Sequence, residues 1–397
     1  MSRVIFHIDV NSAYLSWEAV HRLSLPGETL DLRTIPSAVG GDVNTRHGII
    51  LAKSIPAKQF HIQTGEPVTD ALKKCPNLTL VPPNRELYKT NSEALIRLLR
   101  EYSPIVEQYS IDEAFVDMTG TTLLHGSPVE AANTIKNRIR DEMGFTVNVG
   151  ISSNKLLAKM ASDFEKPDRV HTLFPDEIPD KMWGLPVRDL FLVGKSSEKK
   201  LLNLGIHTIG ELAASDPELL RQHLKKHGEI IWRFANGYDM SDVLESPEAN
   251  KGYGNSTTLS ANVTEDTAAK KVLLSLAESV SQRLRRDHVQ IQNVSVGIRF
   301  HDLTRISHQK MLSEPTNTTQ DIYHAACELF DEMWDSTPIR LLGIQTGKVI
   351  EQDSYRQLSL FDLPQKSEKQ QKLDHALDAI RERYGKDAVK RASFLKK

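Results

Sequence analysis

The sequence predicts a multidomain α+β protein, and three features of its pattern lead to that prediction. In residues 1–166, short apolar strand patterns alternate with stretches of helical apolar spacing, which is typical of a sheet with helices on one face. Residues 167–237 show only short helical patterns, and residues 238–255 are polar and contain glycines, as linkers do. A second α/β pattern covers residues 256–350 and is followed by a polar tail, residues 351–397, that we expect to be flexible.

Each element is predicted from its apolar spacing and from the turn residues that bound it. The first strand, residues 4–9, is apolar and carries Asp9 at its end. The other elements predicted in the first region are a helix at 12–23, strands within 38–51, a helix at 87–102, a strand pair at 105–118, a helix at 129–143, a strand at 146–151 and a helix at 155–164. Those predicted in the second region are helices at 268–286 and 320–335 and strands at 292–300 and 339–349.

The composition is that of an ordinary globular chain, because 39% of the 397 residues are hydrophobic and 26% are charged. The net charge of −2 argues weakly against a nucleic-acid partner, although binding depends only on the residues that face phosphate. No stretch is apolar for long enough to span a bilayer, and the N-terminus lacks a signal peptide's apolar region, so we expect no membrane contact and a cytoplasmic protein. Cys75 and Cys327 are far apart and indicate neither a disulfide scaffold nor a zinc site.

Three carboxylates are the leading candidates for catalysis. Asp9 ends a predicted buried strand, and Asp112 and Glu113 lie near the turn of a predicted strand pair, so the three can converge. Acidic groups that close together need a compensating charge, which Mg²⁺ provides through oxygen ligands. Two such ions would clamp the attacking and leaving oxygens of an in-line phosphoryl transfer. The alternative is that these residues are ordinary solvated acids at strand ends.

Five motifs around these acids occur in a recognisable order and spacing. They are residues 7–14 (HIDVNSAY), 38–42 (AVGGD), 109–117 (YSIDEAFVD), 149–159 (VGISSNKLLAK) and 185–195 (LPVRDLFLVGK). Together they resemble the Y-family of DNA polymerases, which carry out translesion synthesis. The resemblance covers residues 1 to about 235 well and the next hundred loosely. It implies a right-hand polymerase with palm and fingers in residues 1–166, the fingers inserted at about 11–77, a helical thumb in 167–237 and a little finger in 256–350.

The resemblance also implies roles for single residues. Asp9, Asp112 and Glu113 would bind two Mg²⁺ ions, with the Val10 carbonyl as a further ligand. Tyr14 would be the steric gate, a ring placed where a ribose 2′-OH would collide. The residues holding the incoming nucleotide would be Ser12, Ala13, Tyr14, Lys58 and Lys159. Without the resemblance, Tyr14 would be interpreted as a half-buried aromatic residue and Lys159 as part of a solvated helix face.

The sequence departs from the family pattern at one place. After the Gly-Gly motif the family usually has a strand with Tyr-x-Ala-Arg, whose side chains hold the triphosphate, and here Ile55 and Lys58 take those positions. Lys58 keeps a positive charge but lacks the planar fork of arginine. Lys53 would lie on the same strand face as Ile55 and could compensate. Nucleotide affinity and selectivity are therefore the properties most open to change.

Two regions are predicted to contact DNA. Residues 192–210 have the pattern of a helix-hairpin-helix, which points backbone N–H groups at a phosphate without reading sequence, and Val193, Gly194 and Lys195 would make that contact. A glycine-containing hairpin can also be a plain helical turn. In the last domain, Arg299 and Arg305 lead a basic group on one strand and its following loop that could track a duplex backbone.

The tail contains an apolar pentapeptide, residues 357–361 (QLSLF), in a polar setting. It resembles the motif by which bacterial replication proteins bind the hydrophobic pocket of the sliding clamp. Gln357 would be the polar anchor, and Leu358, Leu360 and Phe361 would be the apolar plugs. The alternative is that these residues pack on the protein itself.

A short amphipathic helix is predicted after the pentapeptide, from the helical spacing of the apolar residues Leu373, Leu377, Ile380 and Tyr384.

The leading hypothesis is an error-prone translesion DNA polymerase, a monomer that adds dNTPs to a primer on template DNA. A second is a non-catalytic relative that binds DNA and the clamp, against which the intact acids argue. A third is another two-metal enzyme, such as a nucleotide cyclase or a nuclease. A cyclase has no use for a hairpin thumb, and a nuclease has no use for a ribose-excluding tyrosine.

Overall fold

The computed structural model describes residues 3–42, 48–246, 248–351, 366–385, 388–389 and 391. These residues form two units, the first comprising the described residues up to 246 and the second those from 248 onward. No helix in the described ranges is long and apolar enough to cross a membrane.

The first unit contains strands and helices through its first 172 residues and short helices after them. Its strands are β1 (Ile5–Val10), β2 (Ser37–Gly40), β3 (Ile50–Lys53), β4 (Thr79–Val81), β5 (Val106–Gln108), β6 (Glu113–Asp117), β7 (Val147–Ser152) and β8 (Val170–Thr172). Its helices are α1 (Ala13–Leu23), α2 (Ile55–Lys58), α3 (Val68–Lys74), α4 (Arg85–Leu99), α5 (Thr122–His125), α6 (Pro128–Met143), α7 (Lys155–Ser162), α8 (Ile178–Lys181), α9 (Lys195–Asn203), α10 (Ile209–Ala213), α11 (Pro217–Leu224) and α12 (Lys226–Ala235).

The main sheet of this unit has the order β5-β6-β1-β7-β8, with β1 at its centre and antiparallel to both neighbours. Successive side chains of a strand point to opposite faces. Phe6 and Ile8 pack with Ile135 of α6 in one core, whereas His7 contacts Ser162 of α7. The predicted strand-and-helix order is confirmed, but helices cover both faces of this sheet instead of one, since a strand that is buried throughout has two apolar faces to cover.

A smaller sheet has the order β3-β2-β4. Its strands β2 and β3 lie in the region predicted as fingers, and β4 lies just beyond that region. The run after β3 was predicted to be a strand, and that prediction is wrong. Ser54 caps α2 by accepting a hydrogen bond from Ala57 N (3.1 Å), and Pro56 occupies the first turn, so these two residues start a helix. Lys53 and Ile55 therefore lie on different elements and do not share a strand face.

Glycine at position 150, within the motif at 149–159, is required by helix packing. A Cβ atom there would lie 1.9 Å from Ala158 O and 2.5 Å from Ser162 N. Both atoms belong to the backbone of α7, which cannot move aside as a flexible side chain could. Glycine thus allows α7 to lie directly on β7.

The second unit is a four-stranded antiparallel sheet covered on one face by helices. Its elements are β9 (Gly254–Val263), α13 (Asp266–Arg286), β10 (Val289–Phe300), β11 (Arg305–Thr316), α14 (Thr319–Met333), β12 (Ile339–Glu351) and α15 (Lys366–Tyr384). The strand order is β11-β10-β12-β9. Val294, Val296 and Ile298 of β10 pack with residues of α13 and α14, which leaves the alternate side chains on the opposite face.

Three details of this unit differ from the predicted pattern. The strand β9 begins at Gly254, inside the predicted linker, because its pairing with Gln345 of β12 extends that far. Arg305, which was predicted in a loop, starts the strand β11. The helix predicted from the spacing of Leu373 to Tyr384 is present as part of α15. Charged contacts attach it, because buried Arg285 donates to Asp378 Oδ2 (2.6 Å) and to Asp374 Oδ2 (3.3 Å). Its residues Leu373, Ile380 and Tyr384 are exposed.

We expect Gly150→Ala to destabilise the protein by at least about 2 kcal/mol, because a methyl group there must displace the backbone of α7. Gly184→Ala is the matched control, since a Cβ at Gly184 meets nothing within 4 Å. The control should change stability by less than about 0.5 kcal/mol. Urea and thermal unfolding of the full chain measure both variants, and equal stability of the two would contradict the packing argument.

Candidate active site

The candidate catalytic acids lie where β1 ends and β6 begins. Asp9 and Glu113 are register partners across the antiparallel β1–β6 pair. The adjacent Asp112 accepts a hydrogen bond from Val10 N through its backbone carbonyl (3.0 Å). The pairing therefore brings the three predicted residues to one end of the two strands.

The turn before β6 is built by the residues of the motif at 109–117. The N–H groups of Tyr109 and Ser110 both donate to Glu113 O, at 3.0 and 3.1 Å. The hydroxyl of Ser110 donates to Asp112 Oδ1 (2.6 Å). The serine thus orients the carboxylate of Asp112, which explains the residue type two positions before it.

Two lysines contact the acids. Lys166 Nζ lies 2.6 Å from Asp9 Oδ2 and 2.8 Å from Asp163 Oδ1. Lys159 Nζ lies 2.5 Å from Glu113 Oε1 and over the rings of Tyr109 and Phe191. Each of the two facing carboxylates, Asp9 and Glu113, therefore already contacts a cation.

The surroundings shift the titration of two groups near these pairs. Burial raises the pKa of Asp9 to about 6. The positive charge of Lys166 lowers this pKa but does not outweigh the effect of burial. Burial lowers the pKa of His7 well below its usual value, and the charges of Lys159 and Lys166 lower it further. His7 is thus neutral, with Nδ1 2.8 Å from Ser162 Oγ. Its Nε2 has no hydrogen-bond partner among the described residues and lies 4.0 Å from Glu113 Oε1, too far for a hydrogen bond.

A cavity of 430 Å³ opens beside Asp9. Its lining includes the main-chain turn at Val10 to Ser12, the exposed Ile55 and the basic residues Arg33, Lys58 and Lys166. Lys166 was not predicted as a site residue from the sequence. The only local signal was its place in the Lys166-Pro167 pair that follows α7. Lys159, which was predicted to contact the nucleotide, is outside this lining, and Arg33 already binds Asp31 through two nitrogens (2.9 and 2.8 Å).

The helix α1 begins at this cavity. Its N-cap residue, Ser12, has a left-handed backbone (φ 48°, ψ 48°), and no side chain caps the helix there. The first N–H groups of an α-helix have no partner within the helix, and they attract anions. Tyr14, in the first turn, is half-buried, and its ring stacks on Tyr88 with a centroid separation of 4.6 Å.

Comparison with known proteins identifies the family. Family models match residues 8–163 (impB/mucB/samB family), 175–206 (IMS family HHH motif) and 250–360 (impB/mucB/samB family C-terminal domain). The chain is 47% identical over 398 residues to DNA polymerase IV of Clostridium acetobutylicum, covering 100% of this chain and 99% of that one. The chain belongs to the Y-family of DNA polymerases.

Other relatives support the same family assignment. DNA polymerase IV of Acetivibrio thermocellus is 38% identical and DNA polymerase IV 1 of Bacillus subtilis is 37% identical, each aligned with 100% of this chain and with 98% and 94% of the relative. A solved Y-family DNA polymerase chimera has the same fold, with a TM-score of 0.75 over 88% of this chain and 99% of the chimera at 22% identity. The predicted multidomain α+β polymerase fold is thereby confirmed.

Membership of the Y-family implies the use of a divalent metal ion, and the donor set can be tested against that. In the described part of the chain, no three His, Cys, Asp or Glu side chains are already arranged around a metal position. The donors are nevertheless of the right chemistry, because the carboxylate oxygens of Asp9, Asp112 and Glu113 are hard ligands. Asp9 and Glu113 each accept a lysine ammonium at 2.6 and 2.5 Å, so both positions accommodate positive charge. The site therefore fits a divalent cation.

The hairpin predicted in the thumb of a Y-family polymerase is present. The helices α9 and α10 are joined by a turn in which Gly205 has φ 79°. Gly194 is the N-cap of α9 and provides no side-chain cap. The predicted DNA contacts Val193, Gly194 and Lys195 thus stand at an uncapped helix start, the geometry that favours a phosphate.

A groove of 660 Å³ runs over the open face of the sheet in the second unit. Arg299 and Arg305 are register partners on β10 and β11 and both line it. The buried Nε of Arg299 has no hydrogen-bond partner in the described ranges. The remaining lining is dominated by small residues, among them Gly254, Ser256, Ser295, Gly297, Ser307 and Gly343.

The predicted clamp residues Gln357, Leu358, Leu360 and Phe361 lie outside the described residues.

Proposed function

We propose that this Y-family member is a template-directed translesion DNA polymerase, which adds dNTPs to the 3′-OH of a DNA primer. The observation that carries the proposal is the register of Asp9 with Glu113 beside a basic cavity, in a chain that matches DNA polymerase IV relatives over its whole length. The non-catalytic alternative is not favoured, because all three acids are present. A cyclase or a nuclease is not favoured either, because full-length relatives are DNA polymerases.

The acids would act through metal ions. Asp9, Asp112, Glu113 and the Val10 carbonyl would hold two Mg²⁺ ions, which when bound supply positive charge to the reacting phosphate oxygens. The protein's own contribution is to hold the carboxylates through the β1–β6 pairing and the hydrogen bond from Ser110. Lys159 and Lys166 contribute positive charge beside the carboxylates of Glu113 and Asp9.

The nucleotide would lie in the 430 Å³ cavity. The uncapped start of α1, at Ser12, Ala13 and Tyr14, supports binding of the triphosphate by backbone N–H groups. We assign Lys58 and Lys166 to the phosphates because both line the cavity. The same role for Lys159 stays a prediction, because Lys159 is outside the lining of this cavity. Ile55 offers no hydroxyl, so phosphate binding depends on the lysines and the helix start.

Primer-template DNA would lie along two surfaces. The uncapped start of α9 supports contact with one strand through Val193, Gly194 and Lys195. In the second unit, Arg299 and Arg305 supply positive charge, while the small residues of the groove floor allow close approach of a sugar-phosphate backbone. We also propose that residues 357–361 bind the sliding clamp, a proposal supported by their sequence alone.

Primer extension on an undamaged template tests the polymerase proposal. Asp112→Ala/Glu113→Ala should lower extension at least about a thousandfold, because the metal-binding charge is lost, and EDTA should abolish the wild-type reaction. Asp117→Asn, an acid at the other end of β6, is the control and should leave extension unchanged. In steady-state kinetics, Lys166→Ala should raise the KM for dNTP about tenfold or more, the effect of losing one charged hydrogen bond. Binding of primer-template without any extension by the wild type, with either Mg²⁺ or Mn²⁺, would refute the proposal.

DNA affinity measured at several salt concentrations tests the groove. Arg299→Ala/Arg305→Ala should weaken binding of primer-template and reduce the slope of log affinity against log salt by about 2, since each arginine would neutralise one phosphate. The control is Arg286→Ala, an exposed arginine at the end of α13. An unchanged slope in the double variant would show that the groove does not face DNA.

Direct binding to the purified sliding clamp tests the pentapeptide. Leu360→Ala/Phe361→Ala should weaken binding of the full chain at least about tenfold, because two apolar plugs lose their buried area. Leu363→Ala changes an apolar residue just outside the pentapeptide and is the control. If both variants bind as tightly as the wild type, the clamp contact lies elsewhere or does not exist.

A further inference from the structure

One face of the Tyr14 ring is covered by a buried tyrosine, Tyr88. Tyr88, on α4, stacks on it with a centroid separation of 4.6 Å and an interplanar angle of 24°. Tyr88 is only 2% exposed, whereas Tyr14 is half-buried at the start of α1. Trp17 lies 6.0 Å from the ring of Tyr14 and 5.9 Å from that of Tyr88, so it packs against both. The ring of Tyr14 therefore has little room to retreat into the protein.

Tyr88 is itself fixed by a buried carboxylate. Its hydroxyl donates to Glu18 Oε1 at 2.7 Å, and Glu18, on α1, is only 5% exposed. Burial, and then this hydrogen bond, raises the pKa of Tyr88 well above its usual value, so the hydroxyl keeps its proton. Hydrogen bonds to a buried charged acceptor are among the strongest in proteins. Glu18 and Tyr14 both lie on α1. The hydrogen bond from Tyr88 to Glu18 therefore fixes the position of the Tyr88 ring relative to the helix that carries Tyr14.

We propose that Tyr88 and Glu18 are positioning residues that set the sugar selectivity of the polymerase by fixing the ring of Tyr14. The inference rests on the proposed function, in which Tyr14 excludes the ribose 2′-OH. Exclusion by a ring requires that the ring cannot tilt away when a ribonucleotide enters. Tyr88 provides the surface that blocks the tilt, and Glu18 keeps Tyr88 in place. Ser12, the N-cap of α1, lines the 430 Å³ cavity, and Tyr14 lies in the first turn of the same helix. Tyr88 and Glu18 do not line the cavity, and the contact of Tyr88 with the ring of Tyr14 is the route by which both would act.

The test is the ratio of kcat/KM for a dNTP to that for the matching rNTP in single-nucleotide extension. Tyr88→Phe keeps the ring but removes the hydroxyl, and it should lower the ratio about five- to tenfold, mainly by raising the rNTP value. Glu18→Gln keeps a neutral acceptor for the hydroxyl and should lower the ratio only about two- to threefold. Tyr14→Ala should lower it most. In Tyr14→Ala/Tyr88→Phe the second change should have no further effect, because the ring it positions is gone.

The matched control is Tyr253→Phe, which removes another buried tyrosine hydroxyl that donates to a carboxylate, Asp287 Oδ2 at 2.8 Å, in the second unit. It should leave the ratio at the wild-type value. The inference is overturned if Tyr14→Ala relaxes selectivity while Tyr88→Phe leaves the ratio unchanged, or if Tyr88→Phe lowers the dNTP and rNTP values equally. If Tyr14→Ala leaves the ratio unchanged, the gate itself is wrong and the inference fails with it. Loss of extension with both nucleotides in the wild type would instead refute the proposed function.

Discussion

The close pairing of Asp9 with Glu113 is the constraint on which the candidate site of the first unit depends. Antiparallel pairing places their Cα atoms about 5 Å apart, a distance at which two carboxylates repel each other unless cations are near. The cations available within the chain, Lys159 and Lys166, come from α7 and the segment just after it. The helix α7 lies against the sheet, where its Ala158 packs with Ile5 of β1 and Phe115 of β6. Gly150 makes this possible, because no side chain at that position separates β7 from the backbone of α7.

The side chains of β1 alternate between the apolar core on one face of the sheet and the candidate site on the other. Phe6 and Ile8 lie in the large apolar core with α6, while His7 points to the α7 side, where its neutral ring adds no charge to the two lysines. Asp9 follows at the end of the strand, where its side chain is 13% exposed and reaches the cavity. One short strand thus anchors the core and presents the acid, because neighbouring residues of a strand face opposite sides.

Buried charge also organises the second unit. Arg285 is only 5% exposed and binds Asp374 and Asp378 of α15, while Asp374 in turn accepts the N–H of Thr319 at the start of α14 (2.9 Å). Removing charges from water is costly, and several hydrogen bonds in good geometry are needed to offset that cost. The helices α13, α14 and α15 are thereby joined on one side of the sheet. The glycine and serine positions of the strands remain on the open side, where the basic groove forms.

The amino-acid sequence by itself determined the order of most elements, the acids at the ends of β1 and β6, and the family, because apolar periodicity and short motifs are local properties of a chain. It did not reveal the helix at Ile55–Lys58, the strand β11 that begins at Arg305, or the placement of Lys166 in the cavity instead of Lys159. The helix at Ile55–Lys58 follows from the local signals of Ser54 and Pro56, which the family's strand pattern had outweighed. Pairing with β10 defines β11, and the position of α7 on the sheet decides which lysine reaches which acid. The stack of Tyr14 on Tyr88 and the hydrogen bond from Tyr88 to Glu18 were likewise decided only by tertiary structure, since they join residues 74 and 70 positions apart through the packing of α1 against α4.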